Sequence, residues 1–134
     1  MITYKALKDY DCRTIQEILK ARREAFCNRR RIDHDHLDHD DNTVHMVYMD
    51  QNGGLLAYAR LTDKKDHYFF SRFVSIQKGA GKHLLEKVLE KIDKPVELLA
   101  RKEMISYFEK FMFKVCGEPI KQDILLTPMR YDLY

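Results

Sequence analysis

The sequence predicts an α+β domain with a mainly antiparallel central sheet flanked by helices. Three observations predict it. Residues 44–49 (VHMVYM), 55–61 (LLAYARL) and 67–74 are β-type runs separated by the turn signals DQNGG and TDKKD, so they read as a three-strand meander. Leu84, Leu85, Val88, Leu89 and Ile92 then recur at helical spacing. Between strand and helix lies a loop in which Gly79 and Gly81 bracket Ala80, with Lys78 and Lys82 on either side.

The other elements follow in order. Residues 2–6 read as a first strand. Residues 10–26 read as a helix with Ile15, Ile18, Leu19 and Phe26 on one face. Residues 29–42 (RRRIDHDHLDHDDN) are polar without a period and read as a long solvated loop with at most one helical turn. Pro95 ends the second helix, residues 96–99 form a short apolar strand, and residues 103–111 form a further helix. Residues 114–116 and 125–133 are the last strands. No repeat or linker divides the chain, so residues 1–134 are expected to form one domain.

With 134 residues, 45% apolar and 34% charged, the chain is long enough for a real core. No apolar run approaches the roughly 20 residues of a membrane span. Three widely spaced cysteines, Cys12, Cys27 and Cys116, suit reduced thiols rather than a disulfide framework or zinc ribbon. With no apolar leader visible, the expected location is cytoplasmic. A net charge of +3 permits an anionic ligand but does not signal nucleic acid. A glycine loop at a helix N-terminus leaves backbone N–H groups pointing outward, where the helix dipole and two lysines favour phosphate oxygens. The same residues also suit an ordinary strand-to-helix turn, and that alternative stays open.

This order of elements, with these residues, resembles the GNAT superfamily of acyl-CoA N-acyltransferases and looks closest to its ElaA-like subgroup. The resemblance runs from about Arg22 to Leu133. Arg22 and Phe26 match a first-helix arginine and phenylalanine; Asp38, Asp41 and His45 match an acidic loop leading to a histidine-bearing strand. AYARL, SRFV and GAGKHLL match the next two strands and the pyrophosphate loop. ARKEMISYFEKFMF resembles the last helix, which in that family closes with F-Y-x-x-x-G-F.

The resemblance implies acetyl-CoA as acyl donor, its pyrophosphate on the backbone N–H groups of Lys78, Gly79, Ala80, Gly81 and Lys82. Its pantetheine arm would lie along Phe73, Val74 and Ser75, an N–H near Val74 polarising the thioester carbonyl, with Phe108 also against the cofactor. It implies a small-molecule or peptide amine as acceptor, with Arg22, Asp38, Asp41 and Arg72 around it. Asp38 and Asp41 are expected to attract a cationic amine. Tyr107 is the implied acid and His45 a base. The chain departs from the pattern where Phe108 takes the place of the acid tyrosine, with Tyr107 one residue earlier and so about 100° around the helix. Met112 stands where the family has glycine, and the loop ahead of Gly79 is short. A non-catalytic acyl-CoA sensor, favoured by Phe108, is the rival from another class. Metal binding by the Asp/His tract of residues 33–41 is a third reading, and a homodimer stays open.

Overall fold

A computed structural model describes residues 1–26, 36–122 and 124–133. The α+β reading holds: among the described residues, one mixed sheet of eight strands carries three α-helices on its faces. The strands are β1 (Ile2–Lys5), β2 (Thr43–Met49), β3 (Leu55–Asp63), β4 (Tyr68–Ser75), β5 (Val96–Arg101), β6 (Lys114–Val115), β7 (Ile120–Lys121) and β8 (Leu125–Tyr131). The helices are α1 (Cys12–Ala25), α2 (Ala80–Lys91) and α3 (Ile105–Glu109). The sheet runs β1-β2-β3-β4-β5-β8-β6, with β7 also pairing β8. Among the described residues no helix is long and apolar enough to cross a membrane.

The meander forms as expected because its strands bury side chains on both faces and have a turn residue to close on. Asp50 Oδ1 accepts from the N–H groups of Asn52 and Gly54, and Gly53 takes a left-handed φ of 82°. Helix α1 starts at Asp11, whose side chain accepts from Thr14 N–H at 2.8 Å, a cap worth about 1 kcal/mol. Its buried residues include Ile18, Ala21 and, against the sequence reading of an apolar face, Arg22. The polar stretch read as a solvated loop contains a 3-10 turn over His36–His39, and Asp38 within it is 2% exposed. Residues 29–35 of that stretch lie outside the described residues.

Two cores lie on the two faces of the sheet. Met46, Ala57, Ala59, Phe70, Leu98 and Phe108 pack with Leu84, Leu85 and Val88 of α2. Each of those three α2 side chains contributes roughly 1.5–3 kcal/mol by leaving water. Val47, Tyr58 and Val74 pack on the other face with Ile18, Ala21 and Phe26 of α1.

All pairings are antiparallel except β4 with β5, which is parallel and lasts only two residue pairs, Tyr68 with Val96 and Phe69 with Glu97. Beyond them β5 continues with β8 through Arg101, and β4 with β3 through Ser75. The two neighbours therefore separate, and among the described residues the edge of β4 from Phe70 to Ser75 has no strand beside it on that side.

Candidate active site

The gap between β4 and β5 opens into a cavity of about 640 Å³. One end is apolar, with Phe70, Phe73, Leu98, Ala100, Met104 and Phe108 on its walls. The other end is polar, with His36, Arg60, Ser71, Arg72, Arg101 and Gln122.

A bulge in β4 sorts these side chains. Tyr58 faces Val74 and Arg60 faces Ser71, so one residue of β3 opposes two of β4. Arg72 absorbs the extra residue with φ 55°, a left-handed conformation uncommon for a non-glycine residue. Strict alternation would put residues 70 and 72 on one face and residue 73 on the other. With the bulge, Phe70 and Phe73 share the α3 side, their ring centroids 5.3 Å apart and Phe73 6.0 Å from Phe108. The Arg72 guanidinium instead lies 5.8 Å from the Phe26 ring at the end of α1. The Arg101 guanidinium lies 6.0 Å from the same ring.

The glycine loop sits at the end of β4. Gly79 caps α2 with φ 86° and has open space where a Cβ would stand. Ile76 and Gln77 N–H groups donate to Leu56 O, Ala80 N–H to Gln77 O, and Gly81 N–H to Ser75 Oγ at 2.9 Å. The Ser75 hydroxyl itself donates to Gln77 O. Among the described residues nothing accepts from the amides of Lys78, Gly79 and Lys82. Of the five amides expected to face phosphate, three donate to no described residue, and those of Ala80 and Gly81 hold the loop together. Gly81 is glycine for a packing reason. A Cβ there would stand 2.7 Å from Ser75 Cβ and 2.8 Å from Phe73 Cζ. Since Ile76 N–H turns toward β3, strand alternation turns Val74 N–H the same way and the Phe73 and Ser75 amides toward the gap.

Behind the polar end lies a buried charged cluster. Asp38 accepts from Arg22 Nη1 at 2.9 Å and Nη2 at 3.2 Å, and from Arg60 Nη1 at 2.9 Å. Arg60 Nε donates to Ser71 Oγ. His45 is fully buried beside them. Its Nε2 lies 3.0 Å from Asp38 O, which can only accept, so Nε2 carries the proton. Nδ1 therefore accepts from the Tyr58 hydroxyl at 2.5 Å. Burial is the main cause that holds the His45 imidazole below its usual range, and the nearby Arg60 and Arg22 add to it.

The structure thus brings together Phe73, Phe108 and Arg72 of the sequence-expected site, and places the loop at the end of the same strand. It does not bring His45, Asp38, Asp41, Arg22 or Tyr107 onto the cavity wall. His45 has both ring nitrogens engaged in the core, Asp38 is capped by two guanidiniums, and Asp41 is exposed in a turn away from the cavity. Tyr107 is partly buried, packed against Phe73, Phe108 and Phe111. Burial raises its hydroxyl pKa, with Glu86 adding to the effect. Sequence reasoning missed Arg60 and Arg101. Arg60 had a visible signal, a charged residue inside the apolar run AYARL. Among the described residues no group of three His, Cys, Asp or Glu side chains is placed to hold a metal ion; residues 33–35 of the tract lie outside them.

Comparison with known proteins agrees with this architecture. The family model described as an acetyltransferase (GNAT) domain matches residues 7–133. An acyl-CoA N-acyltransferase from Pseudomonas aeruginosa is 28% identical, with a TM-score of 0.82 over 97% of each chain. Escherichia coli ElaA is 22% identical, with a TM-score of 0.85 over 98% of this chain and 99% of its own. An aminoglycoside 6'-N-acetyltransferase complexed with coenzyme A shares the fold at 9% identity, with a TM-score of 0.75 over 98% of this chain and 96% of its own. Among curated proteins none matches the chain.

Proposed function

We propose that this chain, which belongs to the GNAT acetyltransferase family, transfers an acetyl group from acetyl-CoA to an amine by direct attack in a ternary complex. The observation that carries this reading is the coincidence of a splayed β4 edge with a helix N-terminus offering three unused amides. When bound, acetyl-CoA supplies a thioester carbonyl activated toward amines. The amides of Lys78, Gly79 and Lys82, with the exposed Lys78 and Lys82 ammonium groups, hold its phosphates by charge-assisted hydrogen bonds. The gap-facing amides of Phe73 and Ser75 hold the amide arm and polarise the carbonyl. Phe70, Phe73, Leu98 and Phe108 exclude water from the reacting end. The amine must arrive neutral, and its proton leaves through solvent at the polar end, because His45 is sealed in the core. The free, exposed thiols of Cys12 and Cys116 suit a cytoplasmic protein.

One observation favours a second reading, binding without turnover: the cavity wall carries Phe108 where a hydroxyl donor to the leaving thiolate would stand. Calorimetric titration with acetyl-CoA and with CoA tests both readings. Micromolar binding is expected, weakened about tenfold or more in Lys78→Glu/Lys82→Glu by charge reversal at the phosphate seat. No binding by a folded protein would overturn both, and binding without CoA release on any amine would select the second.

A further inference from the structure

We propose that the acceptor is an amine that also bears a carboxylate, held at the polar end of the cavity by Arg101. This rests on the acyltransferase reading and reverses the charge preference expected from the acidic tract. The polar end is lined by Arg60, Arg72 and Arg101, and no carboxylate is among its described lining residues. Two described carboxylates lie near these guanidiniums. Asp38 is buried behind Arg60 and already accepts from Arg22 as well. Glu103 approaches Arg101 at Nε, 3.5 Å away, with its own side chain 66% exposed.

Within this group Arg101 is the one built to reach a ligand. Arg60 is 2% exposed and fixed by Asp38 and Ser71, so it sets the potential of the pocket rather than moving to a substrate. Arg101 sits at the end of β5 with its side chain 38% exposed. Its guanidinium lies over the Phe26 ring, and its terminal nitrogens donate no hydrogen bond among the described residues. An aromatic face below a guanidinium fixes its plane and leaves the N–H edge for a bidentate carboxylate contact. The reacting carbonyl is expected at the apolar end beside β4, so a carboxylate on Arg101 leaves the amine of the same compact molecule aimed along the cavity. A polycationic acceptor meets like charge in the same place and is disfavoured.

The test uses the full chain saturated with CoA, a complex that cannot turn over. Its thermal stability is measured with α-amino acids, with the matching α-amino carboxamides, and with simple diamines. Failure of CoA itself to bind is seen before any acceptor is added, and sinks the acyltransferase reading together with this inference. With CoA bound, at least one amino acid is expected to bind about tenfold or more tightly than its carboxamide, the usual worth of a charge-assisted bidentate contact. With acetyl-CoA in place of CoA, that amino acid is then the acceptor, and Arg101→Gln raises its KM about tenfold with little change in kcat. Arg101→Lys restores part of the loss, and CoA affinity is unchanged in both variants. The inference is overturned if no carboxylate-bearing amine binds, if carboxamides or diamines bind as well, or if Arg101→Gln leaves carboxylate binding intact.

Discussion

Asp38 shows how far a residue's role depends on what closes over it. In the sequence it is one acid in a tract of acids and histidines, and that pattern reads as a solvated face. In the fold it joins α1 to β3 by accepting from Arg22 and Arg60, at zero side-chain exposure. A buried ion pair adds little over an apolar replacement, but removing one partner leaves buried charge uncompensated. Asp38→Asn keeps the shape and removes the charge from between two guanidiniums. It is expected to destabilise the protein by about 3–5 kcal/mol. That lowers the midpoint of thermal unfolding by roughly 10–20 °C for a domain of this size. An unchanged melting curve with a raised acceptor KM would return Asp38 to the surface role first read for it. No local signal distinguishes the two, because the acid that is buried and its neighbours that are not share one composition.

At the scale of elements, the end of α3 keeps a glycine conformation without the glycine. Met112 has φ 73°, Phe113 N–H donates to Phe108 O, and Met112 N–H donates to Glu109 O. This is the paired closure of a Schellman motif, and its apolar contact is present as the Phe108 and Phe113 rings, 5.7 Å apart. The motif turns the chain so that Phe113 is buried at 1% exposure while Met112 stands 61% exposed. A left-handed non-glycine residue costs about 1–2 kcal/mol, and glycine returns about 0.4–1 kcal/mol of that through the entropy of the unfolded chain. Met112→Gly is therefore expected to stabilise the protein by up to about 1 kcal/mol, read as a melting point a few degrees higher. A lower melting point would show that the Met112 side chain packs usefully. The sequence exposed the departure at Met112 but not that the backbone ignores it. Similarly, SRFV gave strand β4 but not its bulge, because the left-handed turn at Arg72 is imposed by the partners of Phe73 and Arg72 on opposite faces. The meander, α2 and the last strand were legible because periodicity and turn residues are local.

At the scale of the whole molecule, fold class followed from the order of such local signals, whereas the splay of β4 from β5 depends on a parallel pairing of two residues that no pattern announces. Stability against pH is also a property of the whole, and its windows follow from where the shifted groups sit. Burial keeps the His45 imidazole neutral in the fold, below its ordinary value of 6.5. Below that value the unfolded chain binds a proton that the folded protein resists, so His45's contribution is complete above pH 6.5 and is lost as pH falls. Hydrogen bonds from Thr14, Lys94 and His67 lower the Asp11, Asp63 and Asp66 carboxyls below 3.8. Their contributions are present above that value and fail only in a second, more acidic window. On the alkaline side, burial and then the bond to Asp93 push the Tyr68 hydroxyl up to about 12 from 10.0, so its contribution is present below 10.0 and lost as pH rises through about 12. Stability should therefore form a plateau bounded on the acid side by one buried histidine. The melting point of the wild type is expected to fall between about pH 7.5 and about pH 5.5. His45→Gln, although less stable throughout, should lose less over that interval and keep the same alkaline limb. Parallel acid limbs in the two proteins would mean that another group sets the edge of the plateau, and that the sealed His45–Tyr58 pair opens to water before its proton is gained.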